Sequence, residues 1–424
     1  MGLLLLILIN IFCPFVALII VLCFLFSPRR KVLKTLFGEL NERFAIKKKD
    51  FSGPCIWFHG ASVGEIKSIV NIASSLKEHC KLPVLVTTLT KAGQRAAQKI
   101  DVFDCVLLAP VDFYFSVKRF LKFYTPKILI IVEADLWPNM IYASEREGVK
   151  VGIINGRLSQ RSAKRYKLLK PLINLLIPKI SFICAQNKEI AKRYLSLGAD
   201  KKQIFTCGNI KYDALTENPN RLEEVQELIN KLSWQGSKIV VCGSTHNLEE
   251  EIIISAAKKL ENVKFIIAPR HLERVNQIKQ NLEKTKLKFT FLSSGKFPED
   301  TQILIADTMG LLGALYKAGT VAFVGGSLIK KGGHNFLEPA ILKKPVFFGK
   351  YYYNTPDVAA KLLESGGGIL VNKANFIKEL NKYLQNNELL NKSASAAFET
   401  AKSFQGATEK SLEVINLWTK TQNQ

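Results

Sequence analysis

Hydrophobic and polar positions divide this chain into three regimes. From Leu3 to Phe26 only Asn10 and Pro14 interrupt an apolar run. At about 1.5 Å per residue such a run spans about 36 Å as a helix, enough to cross a bilayer. From about residue 54, short apolar runs alternate with segments of helical period such as Ile66–Cys80 and Leu136–Glu147. The runs Cys55–His59, Val84–Thr88, Cys105–Leu108, Ile128–Val132, Lys150–Ile154 and Phe182–Ala185 predict strands. A polar stretch, Asp213–Arg221, and a short charged helix then precede a second alternating series. Its predicted strands are Lys238–Cys242, Val263–Ala268, Phe289–Leu292, Gln302–Ala306, Val321–Val324 and Pro345–Phe348. Alternation of this kind predicts α/β domains, each a parallel sheet covered by helices on both faces. The expected organisation is an anchor over 1–28, a Rossmann-like domain over 50–210 and a linker over 211–236. A second Rossmann-like domain over 237–400 and a C-terminal helix over 401–424 complete it. The expected ligand crevice lies between the domains, at the carboxyl ends of the strands.

Charge changes the picture at the N-terminus first. Arg29, Arg30, Lys31 and Lys34 follow the apolar run at once, which by the positive-inside rule keeps the rest of the chain cytoplasmic. No basic residue precedes the run and no A-x-A-like site ends it, so the segment reads as a retained anchor rather than a cleaved signal. Pro14 leaves a monotopic insertion open beside a single membrane pass. Sixty Lys+Arg against 36 Asp+Glu give a formal charge of +24, a field that attracts nucleic acid, an acidic membrane surface or a phosphorylated substrate. The eight cysteines contain no C-x-x-C pair and the five histidines no H-E-x-x-H, so neither a disulfide framework nor a zinc site is indicated.

Candidate chemistry gathers behind the predicted strands. Gly325-Gly326-Ser327-Leu328-Ile329-Lys330-Lys331-Gly332-Gly333-His334-Asn335-Phe336-Leu337-Glu338-Pro339 follows Val321–Val324, with a helix expected to begin near His334 or Asn335. Free amides at such a start favour an anion, and Glu338 is placed to accept hydrogen bonds from a ribose. The loop has neither G-x-x-x-x-G-K-[ST] nor G-x-G-x-x-G, which excludes the simplest ATPase and dehydrogenase readings. Gly60-Ala61-Ser62-Val63-Gly64-Glu65 follows the first strand; Glu65 is either a general base or the far half of a Ser62-x-x-Glu65 capping box. Glu133-Ala134-Asp135-Leu136-Trp137-Pro138-Asn139 offers two carboxylates for acid–base or charge-stabilising work, or an N-cap at Asp135. Asn155–Ser162 leads into the basic and apolar stretch Lys164–Lys179, suited to anionic headgroups or to plain solvation. In the second half, Gly243-Ser244-Thr245-His246, Pro269-Arg270-His271 and Asp307-Thr308-Met309-Gly310-Leu311 end strands; Arg270 brings a guanidinium able to grip a phosphate.

In their order along the chain, these motifs resemble the 3-deoxy-D-manno-octulosonic acid (Kdo) transferases of lipopolysaccharide assembly. Ala185-Gln186-Asn187 and Gly208-Asn209-Ile210-Lys211-Tyr212-Asp213 join them, and the resemblance covers nearly the whole chain. It implies a GT-B glycosyltransferase of inverting mechanism, using neither metal nor cofactor, held at the inner membrane by one pass with its catalytic domains on the cytoplasmic side. The implied donor is CMP-Kdo and the implied acceptor lipid IVA, the glucosamine disaccharide precursor of lipid A. The implied partners further include the anionic inner-membrane surface and exclude nucleic acid. By position, Glu65 matches the family's general base, and Glu133 and Lys211 match residues that stabilise the transition state. Pro269, Arg270, Met309, Gly310, Leu311, Asn335, Phe336, Leu337 and Glu338 match CMP-binding positions. Two residues depart from the family's pattern: Leu311 stands for a Glu, which leaves a backbone amide rather than a side chain for CMP, and Phe336 stands for a Pro. From the residues alone two rivals stay open, a GT-B enzyme using a UDP-sugar and a non-enzymatic basic membrane protein.

Overall fold

The structure, a computed structural model, describes residues 1–12, 38–51, 53–133 and 136–419. The chain divides into two units, Met1–Ala214 with Gln405–Gln424, and Leu215–Phe404. Unit 1 carries a seven-stranded sheet of β1 (Cys55–Gly60), β2 (Val84–Thr88), β3 (Cys105–Leu108), β4 (Pro126–Val132), β5 (Lys150–Gly156), β6 (Phe182–Ala185) and β7 (Ile204–Thr206). Its order is β3-β2-β1-β4-β5-β6-β7, and every pairing is parallel. Parallel strands covered on both faces read as continuous apolar runs, which is why β1 is buried along its whole length. Successive side chains alternate faces: Cys55 and Trp57 enter one core, Ile56 and Phe58 the other.

Unit 2 repeats the plan with β8 (Lys238–Thr245), β9 (Val263–Pro269), β10 (Phe289–Phe291), β11 (Ile303–Ile305), β12 (Val321–Val324), β13 (Val346–Phe348) and β14 (Gly368–Leu370). The order is β10-β11-β9-β8-β12-β13-β14, again parallel throughout. In each sheet the chain fills one side of a central strand, in unit 2 by reaching the edge at β10 and returning to β11, then crosses to that strand's other side. The crossing points lie between β1 and β4 and between β8 and β12. Ligands of open α/β sheets bind outside the carboxyl ends of the strands at such points.

The segment 211–236 is ordered structure. A 3₁₀ turn, Ile210–Tyr212, closes unit 1, and the helix Leu222–Lys231 buries Val225 and Leu228 in unit 2. The C-terminal helix Ala407–Thr419 returns to unit 1. Asp213 tethers it by accepting hydrogen bonds from the amides of Gly406 (2.8 Å) and Ala407 (3.3 Å).

Residues 2–12 form a helix that lies against unit 1. Leu6 is buried, and Gly2 sits where a Cβ would meet the Pro171 carbonyl at 2.2 Å. Asn10 docks the helix: its side chain donates to Asn139 Oδ1 (2.7 Å) and accepts from the Tyr114 amide (2.8 Å). Its interruption of the apolar run thus has a structural role. The rest of the expected anchor, including Pro14 and the basic cluster, lies outside the described residues. Among the described residues no helix is long and apolar enough to cross a membrane.

Trp137 and Pro138, rather than Asp135, stand at the start of the next helix, Pro138–Arg146, and Asp135 lies outside the described residues. The cap comes from elsewhere in the chain. Asp112 accepts from the amides of Asn139 (3.2 Å) and Met140 (2.7 Å). Burial pushes its carboxyl up to about 6 against the pull of these bonds. Asp112→Ala is expected to cost about 1–2 kcal/mol of stability, as N-cap removal does, read from urea midpoints. A carboxyl raised in the folded state holds its proton to higher pH than in the unfolded chain. Its stabilising proton is therefore lost as pH climbs through about 6, and the deficit of the variant is larger at pH 5 than at pH 8.

Candidate active site

Unit 1 presents two carboxylates at its crossing point. β1 ends at Gly60, where an added Cβ would stand 2.8 Å from Ile66 Cδ1 and 3.4 Å from Glu65 Cβ, so a larger residue would have to displace the Ile66 side chain as the chain turns into the next helix. That helix, Val63–Ser68, is capped by Ser62, whose hydroxyl accepts from the Glu65 amide (3.3 Å). Glu65 answers with both oxygens, accepting from Ser62 Oγ (2.7 Å) and from the Ala61 amide (2.7 Å). Ser62 caps the helix as the capping reading has it, but Glu65 reaches back to the Ser62 hydroxyl and the Ala61 amide rather than to the Ser62 amide. These contacts also aim a half-buried carboxylate. Burial raises the Glu65 carboxyl above its ordinary value; the Ser62 and Ala61 hydrogen bonds oppose this, Glu133 adds to it, and Lys211 reduces it.

Glu133 ends β4 in a left-handed conformation, φ +69°, which non-glycine residues adopt at a cost. Its amide donates to the Ile154 carbonyl on β5 (2.9 Å), and its carboxylate pairs with the Lys211 ammonium. Asn155, at the end of β5 and itself at φ +52°, is fully buried. Its side chain donates to the same Glu133 oxygen (3.4 Å) and accepts from the Ile210 amide (3.2 Å), fixing the turn that carries Lys211. Two adjacent strand ends held in unfavourable backbone geometry mark a site whose surroundings over-determine it. The structure therefore brings Glu65, Glu133 and Lys211 into one electrostatic group. Asn155 is the member that the predicted site lacked; its signal is an Asn tolerant of left-handed backbone at a strand end.

Unit 2 sorts the expected nucleotide positions into side chains that face outward and side chains that do not. Pro269 is buried at the end of β9, and the next residue, Arg270, is exposed. No described residue accepts a hydrogen bond from its guanidinium, while its amide is fixed to the Thr245 carbonyl (3.0 Å). Met309 is exposed and Gly310 follows at φ +90°. Leu311 is buried in the core, so only its backbone is left for a ligand. Phe336 stacks on Phe348 with ring centroids 4.5 Å apart, and Leu337 is buried beside it. Asn335 is exposed, whereas Glu338 is half-buried beside Gly313 and Tyr316. Asn335 caps the Leu337 amide (3.1 Å); no described residue donates to Glu338, whose carboxyl burial raises.

The glycine loop differs from expectation in two ways. Its helix, Leu337–Ile341, starts later than His334 or Asn335 and spans little more than one turn. The amides of Gly326, Ser327 and Leu328 are already taken by a buried carboxylate of the protein itself. Glu249, fully buried, accepts from them at 2.8, 3.1 and 3.0 Å, and from the His246 amide at 3.0 Å. The loop also brings His334 against His246, with 2.8 Å between their Nε2 atoms and the rings stacked. Burial first, then His334, His271, Lys331 and Arg270, pull His246 down to about 4, and burial also lowers His334.

Comparison with known proteins decides the family. The family model described as 3-deoxy-D-manno-octulosonic-acid transferase matches residues 38–214. A 3-deoxy-D-manno-octulosonic acid transferase of Haemophilus influenzae is 36% identical over 372 residues, 85% of this chain and 86% of that protein. The chain belongs to the Kdo transferase family. Other transferases of the same description are 32% identical in Chlamydophila psittaci, over 82% of both chains, and 29% identical in Aquifex aeolicus, over 82% of this chain and 91% of that one. Among solved structures, a glycosyltransferase from Rickettsia africae superposes with a TM-score of 0.62 at 14% identity, covering 87% of this chain and 100% of that one. Likeness at that identity speaks for fold alone: the two parallel-sheet α/β units of this Kdo transferase resemble those of GT-B glycosyltransferases.

Proposed function

We propose that this enzyme transfers Kdo, with inversion, from CMP-Kdo to lipid IVA, and that Glu65 is its general base. The observation that carries the reading is the group at the crossing point of unit 1. A half-buried carboxylate with a raised proton affinity stands there beside a fixed Glu133–Lys211 ion pair. In the proposed step Glu65 takes the proton of an acceptor primary hydroxyl. That oxygen forms a bond to the anomeric carbon of Kdo on the face opposite the phosphate, and the bond to the CMP oxygen breaks. A base with a carboxyl raised toward the working pH is better matched to an alkoxide-forming step than an ordinary glutamate. Lys211 offsets negative charge that develops during transfer, while Glu133 and Asn155 hold it in place.

Unit 2 supplies the donor cradle in this reading. The unengaged guanidinium of Arg270 binds the phosphate, Glu338 accepts from ribose hydroxyls, and the backbone at Met309–Leu311 and Asn335–Leu337 frames the nucleotide. Arg270→Ala is expected to weaken CMP about 10- to 100-fold, the worth of a charge-assisted hydrogen bond, as titration calorimetry would read. Mass spectrometry of the lipid formed from CMP-Kdo and purified lipid IVA tests the whole reading. A product heavier by one or more Kdo units supports it; transfer from a UDP-sugar instead, or no transfer, refutes it.

Surface chemistry supports a location at the membrane in this reading. Leu3, Leu4, Ile7, Leu8, Ile11 and Phe12 are exposed on the N-terminal helix. That helix shares a groove with the exposed Phe115, and Gly2 contacts Pro171 beside the exposed Leu168 and Leu169. With Arg165, Lys167 and Lys170 close by in sequence, this apolar and basic face suits the cytoplasmic leaflet of the inner membrane, where an anionic acceptor lipid resides.

A further inference from the structure

We propose that Glu249 is a positioning residue for the donor: its carboxylate takes the place of an anion inside the glycine loop, and so shapes the cradle around it. The proposal rests on the CMP-Kdo reading above.

Three consecutive amides, those of Gly326, Ser327 and Leu328, converge on the Glu249 carboxylate, and the His246 amide makes a fourth bond. Converging amides of this kind form an anion-binding concavity. Here the anion belongs to the protein, on the helix Glu249–Lys259 that follows β8, while the amides follow β12. β8 and β12 are the paired strands that flank the crossing point of this sheet. The carboxylate therefore ties together the two strand-end loops between which a ligand of this unit would sit.

Two consequences follow from the contacts. Because these amides are spent, a donor phosphate finds no free backbone donor at 326–328 and is left to Arg270 and the exposed side of the loop. The tie also sets the loop's course. Gly325 passes so close to the β8 loop that a Cβ would meet the Ser244 carbonyl at 2.3 Å, and Gly333 returns its amide to the Gly326 carbonyl at 2.8 Å. That return places His334 on His246, beside Arg270 and His271. Loss of the carboxylate would release all of these together. Its neighbour Glu250 cannot substitute, since it is engaged by Thr245 Oγ1 (3.2 Å) and Arg274 (2.6 Å).

The test uses the full-length protein and CMP, with titration calorimetry and thermal melting. Glu249→Gln keeps the shape but turns a donor toward amides that need an acceptor. If the binding-competent loop falls to about one molecule in ten, CMP affinity falls about tenfold. Ile278→Ala, a cavity in the core of the same unit away from the loop, controls for lost stability. It is expected to lower Tm while keeping CMP affinity within about twofold, since folded molecules retain the cradle. Gly326→Ala keeps the Glu249 carboxylate but strains one of the amides that binds it, because the added Cβ would stand 3.0 Å from His334 Cδ2 at φ +71°, and is expected to weaken CMP as Glu249→Gln does. Equal CMP binding by wild type and Glu249→Gln overturns the positioning role, as does a loss that Ile278→Ala matches at the same Tm. Should Glu249→Gln fail to fold, unchanged CMP affinity in Gly326→Ala overturns it instead. Wild-type protein that binds UMP but not CMP overturns the cytidylate reading and leaves Glu249 to be judged by the same comparison with UMP.

Discussion

Glu65→Gln lowers kcat by about 10²- to 10⁴-fold, the range for loss of a general base, and leaves CMP affinity unchanged. The amide keeps an oxygen for the Ser62 hydroxyl or the Ala61 amide, so the helix start should survive and the variant should fold. What it cannot do is take a proton. Binding and turnover therefore separate: calorimetry with CMP reads the first, product formation the second. A variant with wild-type turnover would remove Glu65 from the role and leave it as a helix cap. The wild-type pH profile carries the same information. Only the ionised carboxylate is a base, so the rate rises with pH on the acid side and levels off above the Glu65 pKa. Because burial raises that pKa, the limb lies above the range of an ordinary glutamate.

Lys211→Ala has the second largest expected effect, a loss in kcat of about 10²- to 10³-fold, the cost of removing one group that stabilises developing charge. The Lys211 side chain is 41% exposed but that of Glu133 only 14%, so Lys211→Ala leaves a largely buried carboxylate unpaired and should also lower Tm. Melting measured beside kcat separates the two effects. Lys211 also holds the Glu65 carboxyl down. Its removal should move the acid limb to higher pH, whereas Glu133→Gln, which removes a negative neighbour, should move it lower. Measuring kcat against pH in both variants distinguishes this electrostatic group from three independent side chains. A limb that stays fixed in both would show that Glu65 does not sense either partner.

Much of this architecture was legible from residue pattern because parallel strands buried on both faces leave unbroken apolar runs. Cys55–His59 and Val321–Val324 announce themselves in that way. β7 and β14 did not. Ile204–Thr206 is a short edge strand with partly exposed side chains, and Gly368–Leu370 begins with glycine, so neither offers a periodic signal. Glu133 was legible because it directly follows a strand and Glu65 because it opens the helix after one, and the structure adds that these strands flank the crossing point. The remainder depends on contacts between distant segments. Nothing near Asp112 in the sequence says that it caps a helix at 138–146. Likewise, the glycines of 325–333 advertise close backbone approach without saying to what. The partner of their amides proved to be a glutamate at the start of the helix after β8, 77 to 79 residues earlier, rather than a ligand. Leu311 and Phe336, where the resemblance implied departures, have side chains that pack inward.

The docking of the first helix through Asn10 has a bearing on how the enzyme meets lipid. Asn10 is bound to Asn139, which lies on the helix just beyond the β4 end where Glu133 stands. The exposed apolar edge at Leu4, Leu8 and Phe12 is thereby held at a set bearing to the carboxylates of Glu65 and Glu133, whether or not a bilayer is present. Bilayer contact would then settle not only where the protein sits but which way its acceptor hydroxyl must arrive.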